Sequence, residues 1–386
     1  MNVLVCIPCL LTGGTEIQTL SLVQALVIAG HNVTVACYFE HTPEMIRRYE
    51  ESGATVKLLS PDGSRPVGVK NTTRILWNGF RHIVKEIKPD IAHVQYMAPG
   101  AIPIILLRML GIKKIIATAH TAADIYSSSG LKIISLLNRH ILNAFQCITE
   151  RAEKSFFGSS GLFDNNTKLD KHGNHFTIYN NLPSYISLRD KPRQFNDSEK
   201  LTIGVVSRLE TIKGMDLVVP AFAEIHKDFP KTALLVVGDG SLRESMEAKT
   251  ISYGLSDSVS FAGRQPQDRL QEFYDKIDIL LMPSRSEGFG LTAVEGMGRG
   301  CILVAADTGG LPEVVRNGKE GYLHRPEDLK DLSDKIKYLI KDRNRMTILS
   351  KAALQRARDF SSEKYNAKIR ALYELLNNRS TTSPRQ

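Results

Sequence analysis

No stretch of this sequence approaches the roughly 18 consecutive apolar residues that a membrane-spanning helix needs. The longest apolar runs, near Ala101–Leu107 and Ile133–Leu137, fall well short. The amino terminus, MNVLVCIPCL, carries no basic leader and no small-residue cleavage site, so the chain is expected to remain in the cytoplasm. Cysteine is scarce: Cys6, Cys9, Cys37, Cys147 and Cys301 are odd in number and dispersed, which argues against a disulfide framework and predicts free thiols. Cys6 and Cys9 form a CxxC, but a structural zinc wants four ligands and no second pair accompanies them. A buried Cys6 on a strand and a Cys9 in the next loop is the simpler expectation than a redox pair. Several catalytic signatures are also missing. There is no HExxH, no Walker loop, no G-x-S-x-G and no full GxGxxG with the acid a nicotinamide site requires. No D-x-D occurs, and no metal site is expected.

What the chain does have is length and alternation. Its 386 residues exceed what one hydrophobic core usually spans, so two domains are expected. Hydrophobic residues make up 42% and charged residues 24%, ordinary for a globular protein. The net charge of +9 is spread over both halves. Such a surface suits phosphates or an anionic membrane face, though from charge alone a merely solvated exterior is the simpler expectation. No nucleic-acid-binding module accompanies it. Apolar strand runs appear at Asn2–Ile7, Val33–Tyr38, Thr55–Leu59, Ile91–Gln95, Lys114–Thr118, Gln146–Thr149 and Phe176–Tyr179, with helical patterns between most of them; the first helix is expected at Gln18–Ala29. The polar, proline-bearing stretch 188–199 reads as a linker. The alternation then restarts at Thr202–Val206, Ala233–Val237, Ser258–Phe261, Ile279–Met282 and Ile302–Ala305. Alternating β and α signals predict an α/β protein with parallel sheets covered on both faces. The domains are then 1–187 and 200–361, followed by a helix over 362–378 with apolar spacing at Ile369, Leu372, Leu375 and Leu376, and a disordered tail over 379–386.

The chemically distinctive residues cluster just after the strands, where open α/β sheets bind ligands. Gly13 and Gly14 follow the first strand and permit close approach of a ligand to backbone, although a plain strand–helix turn would also use them. His120 follows the Lys114–Thr118 strand; a lone histidine is more often structural. Arg208 and Lys213 flank a short loop in GVVSRLETIKG, a fork of donors and a mobile point charge suited to phosphate oxygens. Gly238 and the pair Gly263 and Arg264 stand at later strand ends. In MPSRSEGFGLTAVEGMG, Glu287 ends a strand-to-helix loop, and Phe289, Gly290 and Leu291 open a helix whose free N–H groups and positive dipole end make a phosphate seat. Glu295 lies on that helix and could accept hydrogen bonds from ligand hydroxyls, as could Glu287. Glutamates are common, so the pair alone would say little.

The segment as a whole resembles the signature of the retaining GT-B glycosyltransferases of family 4. The likeness lies in two glutamates separated by seven residues with EGFG after the first, an apolar strand, the GG-x-x-E turn at Gly309–Glu313, and GYL at Gly321–Leu323. That resemblance implies a GT-B fold: two facing Rossmann-like domains with a cleft between them, a nucleotide sugar on the second and an acceptor on the first. It implies a sugar contact for Glu287 and a ribose contact for Glu295. The diphosphate would be held by the backbone at Phe289, Gly290 and Leu291 and neutralised by Arg208 and Lys213. Gly238, Gly263 and Arg264 would line the base, and Gly13, Gly14 and His120 would lie beside the transferred sugar. The family often follows this histidine directly with an acid, where Thr121 stands here, and has Asn-Gly where this chain has Asn180–Asn181. The expected activity is metal-independent, retaining transfer from a UDP-sugar to a glycan or lipid-linked acceptor in cell-surface polysaccharide synthesis. No cofactor is expected beyond the donor itself. Weak peripheral association with a membrane is an accompanying expectation. A sugar-nucleotide epimerase should lack the EGFG helix segment, and a silent scaffold would have no need of Glu287, Glu295, Arg208 and Lys213 together.

Overall fold

The computed structural model describes residues 1–95, 101–170, 173–196 and 200–378. It divides into two compact units, Met1–Asn180 with Ser362–Gln386, and Asn181–Ser361. The tail 379–386 lies outside the described residues, as do residues 197–199 of the expected linker.

The first unit is built on a seven-stranded, all-parallel sheet. Its strands are β1 (Asn2–Ile7), β2 (Asn32–Cys37), β3 (Thr55–Leu58), β4 (Ile91–Gln95), β5 (Ile115–Ala119), β6 (Ala144–Cys147) and β7 (His175–Thr177). Their order is β3-β2-β1-β4-β5-β6-β7. Helices α1 (Gly14–Ile28), α2 (Pro43–Glu51), α3 (Val69–Ile87), α4 (Ala101–Met109), α5 (Ser128–His140) and α6 (Glu150–Phe157) make the crossovers. Central strands are apolar on both faces because both faces are covered: Val3, Leu4, Val5 and Cys6 of β1 have no exposed surface.

The second unit carries a six-stranded parallel sheet of β8 (Leu201–Val206), β9 (Thr232–Val237), β10 (Val259–Gly263), β11 (Ile279–Met282), β12 (Ile302–Ala306) and β13 (Gly321–His324), in the order β10-β9-β8-β11-β12-β13. Its helices are α7 (Val218–Asp228), α8 (Arg243–Ser252), α9 (Leu270–Tyr274), α10 (Leu291–Gly298), α11 (Leu311–Val314), α12 (Leu329–Ile340) and α13 (Arg343–Ala357). In each sheet the strand order reverses direction beside the first strand of the unit, between β1 and β4 and between β8 and β11. Those reversals create the crevices at strand ends where ligands bind in this class of sheet.

The described part of the expected linker, residues 188–196, is not a free tether. Its Arg193 is only 7% exposed and donates to the carbonyls of Tyr274, Asp275 and Arg299, while its backbone N–H donates to Ser350. A buried guanidinium held this way ties the segment into the second unit, and the chain passes between units earlier, at Asn180–Asn181. Helix α1 likewise begins at Gly14, ahead of the apolar run that starts the sequence pattern.

The last helix, α14 (Ser362–Asn378), belongs to the first unit and packs on α1. Its buried stripe runs Tyr365, Ile369, Leu372, Tyr373 and Leu376; Leu375 sits at the margin, and Tyr373 takes the central place. The Tyr373 hydroxyl lies 2.9 Å from Nδ1 of buried His93 on β4, whose Nε2 is 2.7 Å from Thr118 Oγ1 on β5. Among the described residues no helix is long and apolar enough to cross a membrane.

Candidate functional site

At the β8/β11 reversal two loops meet. After β8 the chain exposes Arg208, and its guanidinium makes no hydrogen bond or ion pair among the described residues. A single 3₁₀ turn, Thr211–Lys213, then presents Lys213. After β11, Pro283 to Gly290 leads into α10. Lys213 Nζ lies 2.7 Å from Glu287 Oε2, both side chains being about one-fifth exposed or less. Buried Ser284 points its hydroxyl at the same carboxylate oxygen, 3.5 Å away. Lys213, Glu287 and Arg208 are thus gathered on one rim, with Lys213 and Glu287 already paired.

Close backbone packing sets this geometry. Gly309 has φ +53, and a Cβ there would fall 1.8 Å from the Glu287 carbonyl, which instead accepts from the Gly310 N–H at 3.0 Å. Gly290, with φ +98, caps α10 with no side-chain partner, so the helix opens on free N–H groups and the positive end of its dipole. Phe289 is buried edge-on against Phe360, and Leu291 is half-buried.

Sequence reasoning missed Arg285, which holds the two loops in register. Its backbone N–H donates to the Ile212 carbonyl at 3.0 Å. Its guanidinium donates to the Thr211 carbonyl, forks onto Asp216 at 2.6 and 2.8 Å, and reaches Glu327. The guanidinium holds Asp216 below the usual carboxylate range. The only signal was a cation two residues before Glu287.

Glu295 lies one turn into α10 and is only 4% exposed. Its carboxylate accepts from Tyr185 at 2.6 Å and from Tyr274 at 2.5 Å. Burial pushes its carboxyl up to about 7, against the opposing pull of the two hydroxyls. No sequence pattern pointed to either tyrosine. At the β9 and β10 ends, the Gly238 N–H donates to the Gly263 carbonyl at 2.9 Å, and Arg264 is exposed beside it. These three residues form the far rim of the same sheet edge.

In the first unit, Gly13 caps α1 at the end of β1, with Gly14 as its first residue. Glu16, three residues past the cap, folds back so that its Oε1 accepts from Cys9 Sγ at 3.1 Å. Burial and this carboxylate push the Cys9 thiol up to about 12, the environment of an inert thiol. All five cysteines are free. His120 follows β5, two strands along the same edge, and is 6% exposed. Burial lowers its pKa to about 4, so the ring is neutral, with Nε2 2.9 Å from Gln95 Oε1. Gln95 Nε2 is buried without a partner.

Comparison with known proteins supplies the wider context. The family model described as Glycosyl transferases group 1 matches residues 188–356, and that described as Glycosyltransferase Family 4 matches residues 12–154. A D-inositol 3-phosphate glycosyltransferase of Nocardia farcinica is 34% identical over 166 residues, 41% of this chain and 37% of that protein. The sulfoquinovosyl transferase SQD2 of Arabidopsis thaliana is 26% identical over 75% of this chain and 58% of its own length. The N-acetyl-alpha-D-glucosaminyl L-malate synthase of Bacillus anthracis is 29% identical over 74% of each. The first of these relatives are thus matched over less than two thirds of their length. Among solved structures, Anabaena HepE in complex with UDP aligns over 98% of this chain and 100% of its own with TM-score 0.78 and 17% identity. The sucrose-phosphate synthase of Thermosynechococcus elongatus aligns over the same shares with TM-score 0.78 and 20% identity. At such identities the likeness concerns the fold, which is GT-B.

Proposed function

From a chain that belongs to the family 4 glycosyltransferases, we infer a retaining transferase that moves a sugar from a UDP-sugar to a hydroxyl of a glycan or lipid-linked acceptor, without a metal. The observation that carries this reading is the meeting of Lys213, Glu287, Arg208 and the uncapped start of α10 at one sheet reversal. Cations and free N–H groups converging in this way fit a diphosphate. The backbone at Phe289–Leu291 would seat it, with Arg208 and Lys213 neutralising the charge that develops as it departs. Lys213 is held by Glu287 until then, so its charge is pre-positioned and needs little reorganisation. Glu287 would face the transferred sugar and Glu295 the ribose, with Gly238, Gly263 and Arg264 near the base.

The acceptor would be taken by the first unit near Gly13, Gly14 and His120. A neutral His120 can donate or accept one hydrogen bond without adding charge. The uridine base is favoured by the UDP in the HepE complex. A role in cell-surface polysaccharide synthesis and a weak peripheral association with an anionic membrane complete the reading. No cofactor beyond the donor is proposed, because the cations supply the charge that a metal would.

The test is a screen of nucleotide-sugar donors by nucleotide release and thermal shift. A UDP-sugar should give turnover that EDTA leaves unchanged. Activity abolished by EDTA and restored by manganese would refute metal independence, and a screen with no turnover on any donor would refute the transferase.

A further inference from the structure

Glu295 presents a puzzle if it is to bind a ligand. It is 4% exposed, and both carboxylate oxygens already accept a short hydrogen bond. The two donors are both hydroxyls, the same chemistry that a ribose offers through its 2′ and 3′ positions. They are not equivalent. Tyr274 closes α9, has no exposed surface, and its backbone carbonyl accepts from Arg193, so it is fixed within the core. Tyr185 is only partly buried and lies outside any helix or strand, between Asn181 and β8.

We infer that the Tyr185 hydroxyl occupies, in the free protein, the place of a ribose hydroxyl on Glu295, so that Tyr185 is a donor-site residue that gives up this hydrogen bond when nucleotide binds. The inference rests on the assignment of Glu295 to the ribose. A buried carboxylate left without a donor is costly, and an unsatisfied one would destabilise the free protein. Tyr185 removes that cost while the site is empty, and a ribose hydroxyl removes it when the site is full. The exchange conserves the number of hydrogen bonds on Glu295, and Tyr274 keeps the other oxygen oriented throughout. Nucleotide therefore competes with a hydroxyl of the chain itself. A nucleotide lacking ribose hydroxyls cannot make the exchange.

The measurement is calorimetric affinity of the full chain for UDP and for 2′,3′-dideoxy-UDP, in the wild type, Tyr185→Phe and Glu295→Gln, with thermal melts to show that each variant is folded. Tyr185→Phe removes only the competing hydroxyl. It should bind UDP roughly three- to tenfold more tightly than wild type, the scale of one ordinary hydrogen bond. The dideoxy nucleotide should show no such gain. Equal or weaker UDP binding by Tyr185→Phe, or an equal gain for both nucleotides, overturns the inference. UDP affinity untouched by Glu295→Gln instead overturns the ribose assignment, and the inference with it.

Discussion

Glu287 and Glu295 stand on one loop-helix segment in opposite circumstances. Glu287 is at the mouth, bound to Lys213; Glu295 is inside, bound to two tyrosines. Substitution should separate them. If Glu287 faces the transferred sugar, its contact tightens as charge develops, so Glu287→Gln should lower kcat more than donor affinity. Because the change also frees Lys213, affinity for nucleoside diphosphate should hold or rise. Glu295→Gln should weaken nucleoside-diphosphate binding, by less than the about 1.5–3 kcal/mol of a full hydrogen bond to a charged acceptor, because the ribose hydroxyl replaces that of Tyr185. Calorimetry beside steady-state kinetics decides, and the opposite pattern would mean the roles are exchanged. The histidines of the first unit make a pH prediction. Burial lowers His93 to about 3 and His120 to about 4. Below about 6.5 the unfolded chain takes up protons that these folded sites refuse. Their stabilising contribution is therefore complete above that pH and drains away as pH falls toward 4. Thermal melts from pH 7 to 4 should show this slope, and His93→Gln should make it shallower; an unchanged slope would place the acid sensitivity elsewhere.

Elements show why some of this arrangement is legible in the sequence. Parallel strands buried on both faces are mostly apolar, and the ends of β1, β4 and β11 coincide with those of their runs in the sequence, although β4 also buries His93 and Gln95. The EGFG segment stands out because Gly290 takes φ +98 with the Leu311 side chain 2.6 Å from where a Cβ would stand, while Gly309, further along, is imposed by the close approach of the Glu287 carbonyl. What stays hidden is whatever depends on contacts distant in sequence. Arg193 looks like a linker residue until Tyr274, Asp275 and Arg299 are folded around it. Leu375 and Tyr373 both fit a helical stripe, and it is Tyr373 that meets His93 and His31 in the fold. Arg285 is hidden for the same reason, since its partners Thr211, Asp216 and Glu327 lie on other loops. Its effect can be tested. Without the guanidinium the Thr211–Lys213 turn keeps only the Arg285–Ile212 backbone bond and the Lys213–Glu287 pair as ties to the β11 loop, and a displacement of about 1 Å can cost on the order of a hundredfold in rate. Arg285→Ala should therefore lower kcat/KM for the donor by about that factor while the fold survives. Arg285→Lys should recover little, because an ammonium cannot fork onto both Asp216 oxygens. A variant with normal kinetics would show that the turn holds its own shape.

At the scale of the whole molecule, the charge excess of +9 gains meaning from where apolar surface remains exposed. Ile105 and Met109 on α4 and Ile133 and Leu136 on α5 are 39%, 66%, 47% and 59% exposed, and the two helices pack against each other. Neither helix contains an acidic residue, while Lys132 and Arg139 of α5 are exposed beside the apolar side chains. The opposite side of α5 is occupied by the core, through buried Ile134 and Leu137. An amphipathic face of this kind, apolar at its centre and basic at its edges, suits the interface of an anionic bilayer. Insertion of the side chains would add to an attraction of about 1 kcal/mol per cation near the surface. With so few cations the association should be weak and strongly screened by salt. Vesicles containing phosphatidylglycerol should therefore carry the protein upward in a flotation gradient at low ionic strength, and release it as salt is raised. Vesicles of neutral lipid alone should not. Leu136→Glu places a carboxylate in the middle of the face without touching the core, so it should abolish flotation while leaving donor turnover on a water-soluble acceptor intact. Wild-type protein that fails to float at low salt, or a Leu136→Glu variant that floats as well as wild type, would show that the basic excess serves only to solvate the surface.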